Sequence, residues 1–167
     1  MDAKAYLEQA RDLHTTIVTM QARLRESRES LDMLRSAAGD GMPRGGSDGK
    51  ALENAIVEYD AHVDEYAREL ARWAALRTQA YGMLDRARAV LADGGAHAIT
   101  FAHIDVLEQH YLCDRLPYTS ERYGERTVST ELRIPERTVE RYAKEALEWL
   151  DWSRDLEGRP LVPLVSE

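Results

Sequence analysis

The sequence predicts an all-α protein, a long antiparallel helical hairpin of coiled-coil type followed by a small helix-turn-helix domain. Three observations carry that expectation. Apolar side chains recur in steps of four and three along two long stretches, the spacing that keeps one stripe of a helix turned towards a partner. A glycine-rich segment separates these stretches, and it cannot continue a helix. Beyond residue 96 the pattern breaks into short amphipathic pieces joined by Pro and Gly, with none of the two-residue alternation of a half-buried strand.

The first stretch, residues 3–36, places Tyr6, Ala10, Leu13, Ile17, Met20, Leu24, Ser27, Leu31 and Leu34 on one stripe, with charged residues such as Arg23, Arg25, Glu26, Arg28 and Glu29 between them. A helix of this length with one narrow apolar stripe needs a partner along its whole length. "AAGDGMPRGGSDG", residues 37–49, holds five Gly and one Pro and is expected to be a flexible loop. The second helix, about residues 50–92, carries the same rhythm through Leu52, Ile56, Tyr59, Val63, Tyr66, Leu70 and Trp73. After a fault at Arg77 it resumes at Ala80, Leu84, Ala87 and Leu91. "ADGGAH" at 92–97 supplies the glycines that end it. The expected domains are therefore a hairpin over 1–95, a helix-turn-helix unit over 96–152 and an extended tail over 153–167.

In the second unit "ITFAHIDVLEQHYL", residues 99–112, reads as an amphipathic helix burying Ile104, Leu107, Tyr111 and Leu112. "CDRLPYTSERYGE" is a connection, "RTVSTEL" a short helix, "RIP" a turn and residues 136–152 the last helix. A helix-turn-helix requires two apolar anchors on its first helix, a plugged turn and an apolar inner face on its second, so that the outer face can enter a major groove. Val128 and Leu132 supply the anchors, Ile134 the plug, and Val139, Ala143, Ala146, Leu147 and Leu150 the inner face. Pro135 presets the backbone where a missing N–H costs nothing. The outer face is Glu136, Arg137, Glu140, Arg141 and Lys144. Arg137, Arg141 and Lys144, at i, i+4 and i+7, form one cationic stripe suited to phosphates and guanine edges, while Thr138 or Glu136 is placed to read bases. Thr127, in the short helix, and Arg133, in the turn, complete the candidate DNA contacts.

Bulk properties bound the alternatives. The chain has 167 residues, a formal net charge of −8 and a pI near 5.2, which argues against general coating of nucleic acid and requires any DNA contact to be local. Residues 115–147 hold seven Arg/Lys against six Glu, a net of +1 that leaves −9 elsewhere. A single cysteine, Cys113, allows no intrachain disulfide and fits a reducing compartment. No run approaches the roughly 18 apolar residues of a membrane span, and "MDAKAYLEQARDL" lacks a signal peptide's apolar core. These features lead us to expect a cytoplasmic protein with no membrane partner. His103, His110 and Cys113 fall short of the four well-placed ligands that zinc requires, so they read as ordinary helix residues and no metal or cofactor is expected. Trp149 and Trp152 are expected to pack against the hairpin or the tail. No phosphate loop, nucleophile elbow or metal-binding His-Glu motif occurs. The chain reads as no enzyme, with no catalytic residues.

"LRIPERTVERYAKEAL" resembles the last two helices of region four of bacterial sigma factors, with Leu132, Ile134, Pro135, Thr138, Val139, Arg141, Ala146 and Leu147 in the positions typical of that family. "IDVLEQHYL" resembles the helix that precedes them. Over nearly its full length the chain resembles a family of small phage and prophage proteins of unknown function, related to the ArpU and RinA types of phage transcription regulator. In that family a coiled-coil-like helical pair is joined to a sigma-region-four-like C-terminus. The resemblance implies a transcription regulator acting on double-stranded DNA in the cytoplasm of a bacterial host. The hairpin would then be a dimerisation arm, giving a homodimer or higher oligomer, or a surface for RNA polymerase. Two departures stand out: Arg133 occupies a turn position commonly held by Gly, and "PYTSERYGE" makes a longer connection with no Trp opening the short helix, a packing role left to Tyr123. A small-terminase-like packaging or assembly protein, and a protein-interaction module that never touches DNA, are the alternative readings.

Overall fold

The computed structural model describes residues 2–39, 48–120 and 124–163. The chain is all-α: α1 (Ala3–Gly39), α2 (Asp48–Ala92), α3 (Phe101–Leu107) running into a π-helical turn (Glu108–Leu112), α4 (Val128–Leu132) and α5 (Glu136–Trp152). Among the described residues there is no strand, only an isolated bridge between Arg154 and Pro160. No described helix is long and apolar enough to cross a membrane. The helices reach further into the glycine-rich segment than its composition suggests, to Gly39 and from Asp48. The rest of the expected loop lies outside the described residues, as do Tyr123 and residues 164–167.

The contacts divide the chain into one unit of Leu13–Ala74 and another of Met1–Asp12 with Ala75–Glu167. The boundary expected near residue 95 is therefore displaced into both long helices. The reason is burial. Ala3, Tyr6, Leu7 and Ala10 of α1 and Ala80, Met83, Leu84 and Ala87 of α2 belong to the same core as Ile104, Val139 and Leu150. Tyr6 also donates its hydroxyl to Gln79 at 3.3 Å.

Within the unit Leu13–Ala74, residues 13–39 and 48–74 run antiparallel. His14 lies against Trp73 with ring centroids 5.4 Å apart, and Ser27 meets His62 at 3.1 Å. Two helices can enclose only the stripe between them, so among the described residues of this unit only Ile17 and Leu31 are buried, while Leu24, Tyr59, Tyr66 and Trp73 are half-buried. Val63, expected on that stripe, is exposed; His62 turns inward instead and its Nδ1 bonds to Ser27.

The other unit holds the main core. α3 packs chiefly on α5, with Ile104, Val106 and Leu107 fully buried. The π turn, closed by the Cys113 N–H donating to the Glu108 carbonyl at 2.8 Å, widens the helix by one residue. His110, Tyr111 and Leu112 are buried in succession along it. Outside, Arg88 bridges Asp105 and Glu108.

The tail is not extended. Asp155 accepts from the backbone N–H groups of Glu157 and Arg159 and from the Arg159 guanidinium, each at 2.9 Å, and Gly158 turns the chain at φ 80°. Burial alone would raise the Asp155 pKa, but the Arg159 and Glu157 hydrogen bonds outweigh it and hold the carboxyl below its usual value. The fold-back delivers Leu161 and Val162 into the core, where the Leu161 carbonyl accepts from Arg86 at 3.0 Å.

Candidate nucleic-acid interface

α4 is short and depends on its neighbours for its first hydrogen bonds. Thr127 caps it: the Thr127 Oγ1 accepts from the Thr130 N–H at 3.1 Å, and the Thr130 hydroxyl accepts from the Thr127 N–H at 2.9 Å. The next free N–H groups donate to the connection, Val128 to the Pro117 carbonyl at 2.9 Å and Ser129 to the Tyr118 carbonyl at 3.4 Å. Thr127 is buried in this role, so the expectation that it contacts DNA is corrected: its hydroxyl serves the helix start.

The turn is held from both sides by Ser129. Its carbonyl accepts from the Ile134 N–H at 3.1 Å and its hydroxyl donates to the Ile134 carbonyl at 2.7 Å. This six-to-one bond closes a helix through a left-handed residue, and that residue is Arg133, at φ 54° and ψ 38°. Arginine thus stands in the conformation that glycine takes most easily. Pro135 then caps α5, its carbonyl accepting from Thr138 at 2.8 Å and Val139 at 3.1 Å.

α5 buries Val139, Ala143, Ala146 and Leu150 and half-buries Tyr142 and Leu147. The opposite face is open. Arg133, Glu136, Arg137, Glu140, Arg141 and Lys144 are exposed, and Thr138 is half-exposed. Arg137 makes no ion pair with any described residue, and Arg141 and Lys144 hold Glu145 and Glu148 only loosely, at 3.9 and 3.8 Å. Surface pairs of this kind contribute little and are readily exchanged. Arg126, which might have extended the cationic surface, is committed to Asp114 and Glu131, both at 2.9 Å.

The charge around the stripe is uneven. α5 carries three cations and five carboxylates. One flank opens on a cavity of about 470 Å³ with Tyr111, Tyr118 and Leu147 in its walls; Asp2, Glu140, Glu148 and Asp151 border it, against Lys4 and Lys144. That flank is net acidic, and Arg133, Arg137 and Arg141 do not line it.

Both imidazoles that the sequence set near Cys113 hold structure together. Thr100 donates its N–H to Nδ1 of His103 at 3.2 Å, which leaves the proton on Nε2, 3.0 Å from Glu145. The ring stacks on Tyr142 at 3.8 Å, so His103 fixes α3 to α5. His110 donates from Nδ1 to the Leu116 carbonyl at 2.7 Å and accepts at Nε2 from Arg11 at 2.7 Å. It stacks on Tyr118 at 3.7 Å. Burial, with the Arg11 charge beside it, pushes its pKa down to about 4 despite the favourable bond to Leu116. Burial also pushes the Tyr118 and Tyr111 hydroxyls up. The Tyr118 hydroxyl faces that of Tyr111 without reaching good hydrogen-bond geometry. This cluster pins the connection that receives the start of α4. No signal in the sequence marked Ser129, Arg11 or His110 for these positioning tasks.

Of the two C-terminal tryptophans, Trp149 packs as expected, edge-on to His97 with centroids 6.1 Å apart. Trp152 does not: it is 88% exposed, because α5 ends there and the chain turns away at Ser153.

Comparison with protein-family models, with curated proteins and with solved structures returned no match to this chain.

Proposed function

We propose that this chain is a sequence-specific DNA-binding protein that lays α5 in a major groove, a transcription regulator of the phage type with a sigma-region-four-like C-terminus. What carries the reading is the exposure of Arg133 in the turn and of Arg137 and Arg141 one turn apart on α5, while Val128, Val139 and Ala143 are fixed in the core. A helix-turn-helix needs this division of faces, and its N-terminal residues on the second helix meet the bases. In this reading Arg137 and Arg141 contact phosphate or guanine, Lys144 contacts phosphate, and Glu136, Thr138 and Glu140 discriminate among bases. The helical pair would then serve as a dimerisation arm or as a surface for RNA polymerase.

The test is selection of bound duplexes from a random pool, followed by fluorescence anisotropy on the enriched sequence. Arg137→Ala with Arg141→Ala should abolish binding at physiological salt and lower the slope of log K against log salt by roughly 1.8, about 0.9 per lost phosphate contact. Both side chains are exposed, so the melting temperature should barely move. Undiminished binding by the double variant refutes the assignment. One observation favours a second reading, a docking face for a basic protein: the excess of carboxylates on α5. In that case no duplex is enriched and salt has no effect on anisotropy.

A further inference from the structure

We propose that the cavity beside α5 is a binding site for a small organic cation, an amine carrying an aromatic or alkyl body, with Glu140 as its counter-ion. The cavity measures about 470 Å³, inside the range of about 300 to 1,000 Å³ typical of small-molecule sites. Tyr111, Tyr118, Ala143 and Leu147 form its apolar wall. Every residue around it belongs to the unit that holds the main core. The π turn, the connection, α5 and the start of α1 therefore enclose it within one packed body.

The wall holds phenols without partners. Tyr111 is 3% exposed, yet its hydroxyl meets only that of Tyr118, without good hydrogen-bond geometry. The Tyr118 hydroxyl is buried with no partner among the described residues. A buried phenol ordinarily finds one. Burial raises the pKa of both hydroxyls, so each stays neutral and its oxygen can accept from a ligand N–H. Lys4 acts on the Tyr111 hydroxyl and also borders the cavity, so that hydroxyl lies towards the open space.

The border selects the sign of the ligand's charge. Asp2, Glu140, Glu148 and Asp151 stand against Lys4 and Lys144, four carboxylates to two ammonium groups. Asp2 and Asp151 accept from the Ala5 and Ala3 N–H groups at 2.7 and 2.6 Å. Lys4 leans on Glu8 at 3.7 Å and Lys144 on Glu148 at 3.8 Å. Glu140 is exposed and pairs with no cation among the described residues. An amine whose body covers Leu147 and the tyrosine rings meets Glu140 with its ammonium group, which only donates and is also attracted to the face of a phenol ring. A carboxylate ligand would meet repulsion at the same border. Glu140 stands on the outer face of α5, so an occupied cavity would withdraw it from base edges; that consequence rests on the DNA reading above, and the site does not.

Isothermal titration calorimetry on the full chain tests the site without DNA, using phenethylamine and hexylamine as probes and phenylacetate as the control of opposite charge. Both amines should saturate one site per chain with dissociation constants on the order of 1 mM, ordinary for ligands of that size. Phenylacetate should bind more weakly than either. Glu140→Gln should weaken both amines about 10-fold or more, the loss of one charge-assisted hydrogen bond, with little change in melting temperature because the position is exposed. Leu147→Trp, which fills the cavity from a half-buried position, should abolish binding; if it does not fold, Glu140→Gln decides alone. Amide shifts in NMR should centre on Tyr111, Tyr118 and Leu147. No saturable heat with either amine, phenylacetate binding as tightly as they do, or full-strength binding by Glu140→Gln overturns the proposal. If the chain binds no duplex, the DNA reading fails while the calorimetry still decides the site.

Discussion

Acidification should loosen the seat of α4 through a single residue, His110. Its Nδ1–H is held by a carbonyl, which can only accept, and its Nε2 by a guanidinium, which can only donate. Both partners are satisfied only by the neutral ring. Protonation would aim a second N–H at Arg11 and place two cations in contact, which is why burial and Arg11 together bring the pKa to about 4. In the unfolded chain a histidine titrates near 6.5. Between these values the unfolded state binds the extra proton, so the stability His110 contributes is complete above pH 6.5 and is lost as pH falls towards 4. At pH 5 the loss relative to pH 7.5 is on the order of 2 kcal/mol. Urea unfolding followed by circular dichroism at pH 7.5 and 5.0 measures it. His110→Gln keeps an N–H for Leu116 and an oxygen for Arg11 without titrating. It should be less stable than the wild type at pH 7.5, and the gap should narrow at pH 5.0 by that amount. Equal losses in both proteins, or an NMR titration that places His110 near 6.5, would refute the argument.

Two further outcomes follow from local geometry. Arg133→Gly relieves a left-handed non-glycine residue, worth about 1 kcal/mol, and gives back part of it through the greater freedom of the unfolded chain; thermal unfolding should show a net gain of about 0.5 kcal/mol, whereas a loss would mean that the Arg133 side chain itself holds the turn. Leu161→Ala removes a fully buried side chain and should cost about 3 kcal/mol in urea unfolding; a cost below about 1 kcal/mol would mean that the tail does not belong to the core.

The parts of this fold legible in the sequence are those set by periodicity. The four–three spacing located both long helices, and the inner residues of α5, from Val139 to Leu150, were read from one apolar stripe. Periodicity is blind to which stretch of a long helix gains a third and fourth neighbour. Ala80 and Leu84 look no different from Ile56 and Tyr59 in spacing, yet only the former sit in a closed core, and the division of the chain follows that difference. The pattern also cannot register a π turn, because one extra residue per turn shifts the stripe only once. The tail looked extended because two prolines and no helical period mask a turn built by one carboxylate, Asp155. In the candidate site the outer residues of α5 were read correctly as exposed, while Thr127 was misplaced. A threonine before a short helix is first a capping group, since its hydroxyl is the nearest acceptor for the helix's own free N–H groups.

The acidic character of the chain bears on how such a site would work. Glu136 stands in the first turn of α5, where the helix dipole favours it by a few tenths of a kcal/mol, and Glu140 lies one turn on. Both sit where a recognition helix meets base edges. There a carboxylate accepts from a cytosine amino group and repels a misplaced phosphate. With a net charge of −8 and carboxylates between its arginines, α5 would gain little from sliding contact with arbitrary duplexes, whose affinity comes from phosphate alone. Affinity would have to come from a match between arginine and glutamate positions and one base sequence. On these grounds the absence of a basic patch among the described residues is compatible with the proposed DNA reading. It shifts the expected behaviour from tight, indiscriminate binding to weaker binding that depends on base sequence.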